Sequence, residues 1–289
     1  MLEFLENQKQ IELENALYII STPIGNMDDI TIRALKILSK LDYLFCEDTR
    51  VTNKLLEHYG FGKKSLFVYN DFSKDYEREK IIKLLTDGKS VGLVSDAGTP
   101  LVSDPGFKLV RECKEKGIKV IPVCGASALL SALVASGLAS EHFLFYGFLS
   151  EKENERKKEL EKLNNRQETI IIYESPKRII YTLNEILNTI GDIDICVARE
   201  ITKIYEDIKT DKVSKVLDYY KNNEDKIRGE FVLILKIEKT FEDNIDIEKI
   251  KLIYNNLKSY MKPKDIADFI VKIGIHHNKK DVYNILLTL

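Results

Sequence analysis

The sequence predicts an α/β protein of two α/β domains followed by a small helical C-terminal tail. Short apolar, β-branched runs alternate with amphipathic segments from residue 16 onward. Such alternation builds βαβ units, and therefore a mainly parallel sheet with helices on both faces. The rhythm breaks at a mixed-charge stretch, 151–166, and then resumes in a second block. A chain of 289 residues has room for two domains at roughly 150 residues each.

The first block reads as strand ALYIIST (16–22), helix DDITIRALKILSKL (28–41), strand DYLFCEDT (42–49), strand SLFVYN (65–70), a charged helix over 75–86, strand SVGLVSD (90–96), a helix over 106–117 and strand KVIPV (119–123). From Val120 to Ser140 no residue is charged, a span long enough to cross a bilayer. Pro122, Gly125 and Gly137 interrupt it, so a buried strand and a small-residue helix from Gly125 to Ser136 explain it better. Strand FLFYGF (143–148) closes the block, and the mixed-charge stretch reads as a solvated linker plus helix. The second block is ETIIIYES (168–175), helix PKRIIYTLNEIL (176–187), DIDICVARE (192–200), a turn with a charged helix, and the long strand GEFVLILKIE (229–238). An acidic segment, FEDNIDIEK (241–249), leads to a lysine-rich tail of two short helices divided by IGIHHNKKD, the size of a helix-turn-helix or equally a plain helical cap. The expected domains are 1–148, 149–240 and 241–289.

Hydrophobic residues at 44% and charged residues at 31% exclude a disordered or fibrous chain. A net charge of −2 gives no overall positive field, so any nucleic-acid contact must come from a local patch. Cys46, Cys113, Cys124 and Cys196 form no C-x-x-C pair, and each sits among apolar neighbours as a buried free thiol would, which points to a reducing, cytoplasmic setting. His58, His142, His276 and His277 lack metal-ligand spacing, so no metal is expected. The N-terminal MLEFLENQKQIELENA carries glutamates where an export signal needs a basic start and an apolar run, and no membrane segment is expected.

Ligands of open α/β sheets sit beyond the C-terminal ends of strands, and three such loops stand out. In STPIGNMDD (21–29), Pro23 stiffens the turn and Gly25 allows close backbone approach. In SDAGTPLVSDPGF (95–107), Ser95, Ala97, Gly98 and Thr99 offer main-chain polar groups with little side-chain bulk, as a pocket for a nucleoside needs. No lysine stands ready for a phosphate, and the P-loop pattern fails because position 83 is lysine. In PVCGASALLSAL (122–133), Gly125 to Ala128 open a helix that can approach another backbone closely; as a serine-hydrolase elbow it fails at Leu129. Together the loops suggest one extended pocket for a nucleoside cofactor without phosphate.

STPIGNMDDITIRAL, CEDTR (46–50), VSDAGTPLVSDPG (94–106), YESPKRI (173–179), AREITK (198–203) and RGEFVL (228–233) resemble, in order and spacing, the tetrapyrrole methylase family, and most closely its branch of 16S ribosomal RNA cytidine ribose 2′-O-methyltransferases. The resemblance covers about Leu17 to Ile237 and departs from the family at Cys124-Gly125-Ala126, where proline usually follows the glycine. It implies S-adenosylmethionine bound in a cleft between the two α/β domains, a homodimer, and 16S ribosomal RNA or the small ribosomal subunit as partner. The family's cofactor loops carry over onto Pro23 and Gly25, onto Asp96, Ala97, Gly98, Thr99 and Pro100, and onto Ser127 and Ala128.

A ribose hydroxyl needs in-line placement and an acceptor for its proton. Glu47, Asp48, Glu174, Glu200 and Glu230 all fall at strand ends; Glu174, Glu200 and Asp48 are the candidate catalytic groups, each of which could instead be a structural partner of a nearby arginine. Arg50, Lys177, Arg178, Arg199, Lys203 and Arg228 make up a candidate RNA-binding lining, with Tyr173 and Tyr205 as candidate stacking residues. A small-molecule methyltransferase and a non-catalytic RNA-binding or assembly factor remain as alternatives.

Overall fold

The computed structural model describes residues 12–62, 64–237, 247–275 and 278–289. The start of the N-terminal segment, the acidic run 241–246, and His276 with His277 lie outside the described residues. Two compact units are present, one within Met1–Ile237 and one within Glu238–Leu289.

The first sheet contains β1 (Leu17–Ile20), β2 (Tyr43–Cys46), β3 (Leu66–Val68), β4 (Val91–Val94) and β5 (Val120–Val123). Its order is β3-β2-β4-β1-β5 and every pairing is parallel. Alternate residues of β1 serve opposite faces. Tyr18 and Ile20 pack with Ala34, Ile37 and Leu38 of α1 (Ile32–Lys40) and Leu56 of α2 (Thr49–His58). Leu17 packs with Ile81 and Leu85 of α3 (Asp75–Thr86) and with Leu109 and Cys113 of α4 (Phe107–Glu115). Thr31 and Asp48 cap α1 and α2 by accepting the amides of Ala34 and Arg50, which fixes where each helix leaves its loop.

Helix α5 (Ala128–Ala135) begins three residues later than Gly125. It follows a strand of the first sheet but packs on the second, where Leu129, Ala132 and Leu133 meet Ile171, Cys196, Ala198, Val232 and Ile234. A helix reading ALLSALVA carries no charged side that would hold it at the surface.

The second sheet contains β6 (Phe143–Phe148), β7 (Thr169–Glu174), β8 (Asp194–Arg199), β9 (Asp207–Lys212) and β10 (Phe231–Lys236), in the order β6-β7-β10-β8-β9. Here the mainly parallel expectation does not hold. Only β6 and β7 are parallel; β10 returns antiparallel between β7 and β8, and β9 is antiparallel to β8. Helices α6 (Glu153–Leu163), α7 (Ile179–Thr189) and α8 (Val213–Lys221) cover one face around Ile170, Ile172, Leu233 and Val197. Helix α6 is the helical part of the mixed-charge stretch, and it is not wholly solvated. Arg156, Leu160 and Leu163 are buried, and the Arg156 guanidinium pairs with Glu185 and donates to the carbonyls of Ser150 and Glu151 at 2.8 and 3.0 Å.

Among the described residues the C-terminal unit holds three helices: α9 (Ile247–Leu257), which the sequence reading did not expect, and α10 (Pro263–Lys272) and α11 (Lys279–Leu287), the two expected on either side of IGIHHNKKD. Ile250, Ile266, Ala267, Ile270, Val282 and Leu286 form a core of their own. Cys46, Cys113 and Cys196 are buried free thiols, but Cys124 is exposed, because it stands in the turn between β5 and α5 rather than inside either element.

Candidate active site

The strand order explains why three separate loops make one site. β4, β1 and β5 are neighbours, so the segments leaving their C-terminal ends run side by side. Thr22 and Gly98 exchange both backbone hydrogen bonds, at 2.9 and 3.0 Å. The hydroxyls of Ser21 and Thr99 lie 2.9 Å apart, and Thr99 donates to the Ala126 carbonyl at 3.2 Å. A Cβ on Gly125 would come within 2.8 Å of the Ser21 Cβ, so the third loop seats against the first only because it lacks one.

These loops form one wall of a cleft of about 380 Å³. Asp96, Ala97, Gly98, Thr99, Ser127 and Ala128 line it from the first half of the chain, facing Phe148, Tyr173, Gly229 and Glu230 from the second. Pro23 and Gly25 line an adjoining recess of about 220 Å³ that shares Ile24, Asp96, Ala97 and Glu230 with the cleft. Pro100 is buried behind the loop and lines neither space. The loop from 98 to 106 is held in unusual backbone: Leu101 and Ser103 adopt φ of +74° and +64°, which costs of order 1 kcal/mol each for residues with a side chain.

Three carboxylates gather here. Glu47 and Asp104 line the cleft with Asp96, and burial raises the pKa of all three, reinforced by the charge of Asp96 on Glu47 and Asp104 and by that of Asp48 on Asp96. With no lysine among the cleft-lining residues, the site favours a ligand bearing positive charge and disfavours a phosphate. The sequence reading stops at Pro100 and passes over Asp104, although the repeated Asp-bearing turn of SDAGTPLVSDPGF was its signal.

The candidate catalytic carboxylates turn away from the cleft or lie outside it. Glu174 borders the cleft, but its carboxylate turns to the helix-covered face, accepting from Ser175 N at 2.7 Å, Arg178 Nε at 2.8 Å and the Thr182 hydroxyl at 2.6 Å. Asp48 caps α2, and the Arg50 side chain and amide hold its pKa down to about 2. Glu200 lines neither cavity. Its Oε1 accepts from Lys203 Nζ at 2.6 Å and from Glu230 N at 3.1 Å, and these donors lower its pKa against the opposing effect of burial. Glu200 and Thr202 stand at φ of +51° and +65°, which lets this loop reach the first one. There the Thr202 hydroxyl accepts the Asn26 amide at 3.0 Å, and a Cβ on Gly25 would strike the Lys203 side chain.

The candidate RNA lining divides in the same way. Arg178 is consumed by Glu174 and the Leu149 carbonyl. Arg199 is buried beneath the helices, donating to the Tyr205 carbonyl at 2.9 Å, and does not reach solvent as expected, because β8 places it on the same face as Ile195 and Val197. Lys203 is held between Glu200 and Glu230. Lys177 and Arg228 are exposed, Arg228 lying 5.0 Å from the ring of the exposed Tyr205. Arg50 is also exposed, though paired with Asp48. Among the described residues no group of His, Cys, Asp or Glu is placed to hold a metal ion, and no helix is long and apolar enough to cross a membrane.

Comparison with known proteins adds independent findings. A family profile described as Tetrapyrrole (Corrin/Porphyrin) Methylases matches residues 16–217. The chain is 44% identical over 233 residues to ribosomal RNA small subunit methyltransferase I of Bacillus subtilis (strain 168), covering 81% of this chain and 78% of that protein. It is 40% identical over 276 residues to the protein of the same name from Rickettsia prowazekii (strain Madrid E), covering 95% and 97%. Among solved structures it is similar in fold to diphthine synthase, with a TM-score of 0.59 at 15% identity over 79% of this chain and 92% of that one. It is likewise similar to the cobalt precorrin-4 methyltransferase of cobalamin biosynthesis, with a TM-score of 0.55 at 20% identity over 77% and 95%.

Proposed function

Because this chain belongs to the tetrapyrrole (corrin/porphyrin) methylase family, we propose that it uses S-adenosylmethionine to methylate the ribose 2′-oxygen of a cytidine in 16S ribosomal RNA of the small subunit. The observation that carries the proposal is the pairing of near-full-length similarity to ribosomal RNA small subunit methyltransferases with a phosphate-averse, carboxylate-lined cleft at the ends of β4, β1 and β5. The residues to hold the cofactor are Pro23 and Gly25, Asp96 to Thr99, and Ser127 with Ala128, with Pro100 buried behind them; the acidic lining suits its positive charge, and the small side chains suit its adenosine. When bound, the cofactor supplies a methyl group activated by attachment to a positively charged sulfur. A homodimer is part of the same reading and rests on the family resemblance.

The chain's own contribution is to orient the acceptor and to take its proton. Glu47, Asp96 and Asp104 have pKa values raised toward neutrality, which makes a carboxylate a better proton acceptor at working pH. Glu200, Lys203 and Glu230 position the loop that faces them. Lys177 and Arg228, exposed on the second half, supply the phosphate contacts.

Two expected results follow from these charges. A carboxylate whose folded pKa is raised adds stability at low pH and loses it as pH rises through the folded value, and a bound cation offsets that loss. Cofactor affinity measured by calorimetry therefore weakens as the pH is lowered, with an onset above the ordinary carboxylate value of about 4. Asp104→Asn flattens this dependence, and a pH-independent affinity would contradict it. Lys177→Ala weakens RNA binding and lowers the slope of log affinity against log salt by about 1; an unchanged slope would remove Lys177 from the interface. The reading as a whole is tested by offering labelled cofactor to small ribosomal subunits and, separately, to a free tetrapyrrole. Transfer only to subunits supports it, and transfer to the macrocycle alone supports a small-molecule methylase.

A further inference from the structure

We infer that Phe148 is the stacking surface for the base of the target nucleotide; this rests on the ribose-methylation reading above. Strand β6 is irregular near its C-terminal end. Leu144 pairs with Ile170 and Phe145 with Ile171, but the register then shifts, so that Gly147 pairs with Ile172 and Phe148 with Tyr173. Tyr146 is the extra residue of a β-bulge, and Gly147 sits at φ +79°. Bulges re-aim the side chains that follow them.

Leu144 packs on the helix-covered face with Ile170 and Ile172, while Phe145 packs on the opposite face with Ile171 and Tyr173. Strict alternation from Phe145 would send Phe148 under the helices. The bulge reverses this: Leu149 is buried in the helix-covered core, and Phe148 lines the cleft. There the rings of Phe145 and Phe148 stand 4.9 and 5.7 Å from that of Tyr173, a short aromatic series running along the wall. Phe148 ends the series with 54% of its surface free.

A half-exposed phenyl on the cleft wall lies outside the buried core clusters, and its hydration is unfavourable. What it offers is a flat apolar face. A ribose can reach the cleft wall formed by Asp96–Thr99 and Ser127–Ala128 only if its base leaves the neighbouring stack, and enzymes that extrude a base give it an aromatic replacement. Phe148 lies on the second sheet and the cofactor loops leave the first, so it is placed to meet the acceptor in the cleft that both line. A phenyl has no hydrogen-bonding group, so it holds the base without identifying it.

The test uses the full chain, labelled S-adenosylmethionine and small ribosomal subunits lacking the modification, with Phe148→Ala and Phe148→Trp. Phe148→Ala is expected to lower kcat/KM for subunits about ten- to a hundredfold, the usual effect of losing one base–aromatic stack. Its S-adenosylmethionine affinity stays within about twofold, which also certifies the fold, and Phe148→Trp recovers most of the loss. Unchanged kcat/KM in Phe148→Ala would overturn the inference. So would a loss confined to cofactor affinity, or a Trp variant as poor as the Ala variant. A wild-type chain that labels no ribosomal RNA would instead remove the underlying reading, an outcome distinct from wild-type transfer that ignores Phe148.

Discussion

Glu174→Gln lowers the unfolding free energy by about 3 kcal/mol, the low end of the cost of removing one partner from a buried ion pair. The carboxylate is fully enclosed and answers three donors at once: the Ser175 amide, the Arg178 guanidinium and the Thr182 hydroxyl. An amide side chain presents one acceptor oxygen and sets an N–H₂ against the remaining donors, while Arg178 loses its counter-charge. Urea denaturation would show a lower midpoint with an unchanged slope. Because these partners lie on the helix-covered side of the sheet, turnover per folded molecule changes by no more than about twofold. Turnover lost a hundredfold at unchanged stability would place Glu174 in the chemistry instead.

Gly229→Ala is expected to weaken the whole site. Gly229 stands at φ +82°, and an added Cβ would lie 2.1 Å from Glu200 Oε1 and 2.2 Å from its carboxyl carbon. The backbone strain alone costs about 1–2 kcal/mol, and displacing Glu200 breaks its 2.6 Å contact with Lys203 and its 3.1 Å contact with the Glu230 amide. Lys203 is packed against Gly25, so the disturbance passes from the second sheet to the first loop of the cleft. Cofactor affinity falls at least tenfold, and stability by about 2–4 kcal/mol once repacking is included. Removing the obstruction in the double variant Gly229→Ala with Glu200→Ser recovers part of the stability loss, a coupling that independent sites would not show. Additive losses would mean that the Gly229–Glu200 contact is not the cause.

The features that sequence carries well are those set by local apolar periodicity. The α3 boundaries at Asp75 and Thr86 and the five strands of the first sheet follow from it, as does the choice of strand-end loops. β9, DIKTDK, is invisible because an edge strand with a solvated face needs no apolar run, and its charges read as a turn. The return of β10 between β7 and β8 is a matter of long-range pairing that no local pattern encodes. Side-chain direction explains most of the site differences. CEDTR places two acids at one strand end and YES one at another, but period-two alternation and capping send Glu47 into the cleft, Asp48 to a helix amide and Glu174 under α7. Arg199 is a similar case: basic residues are usually solvated, and only the sheet register reveals that this one is covered. The bulge at Tyr146 leaves no compositional trace beyond Gly147.

The measurement that tests the account most directly is the identity of the nucleoside that receives methyl from labelled S-adenosylmethionine when small ribosomal subunits lacking the modification are the acceptor. After nuclease digestion, the account predicts label in a 2′-O-methylated cytidine. Label on a base, on ribosomal protein, or nowhere despite normal cofactor binding would contradict it.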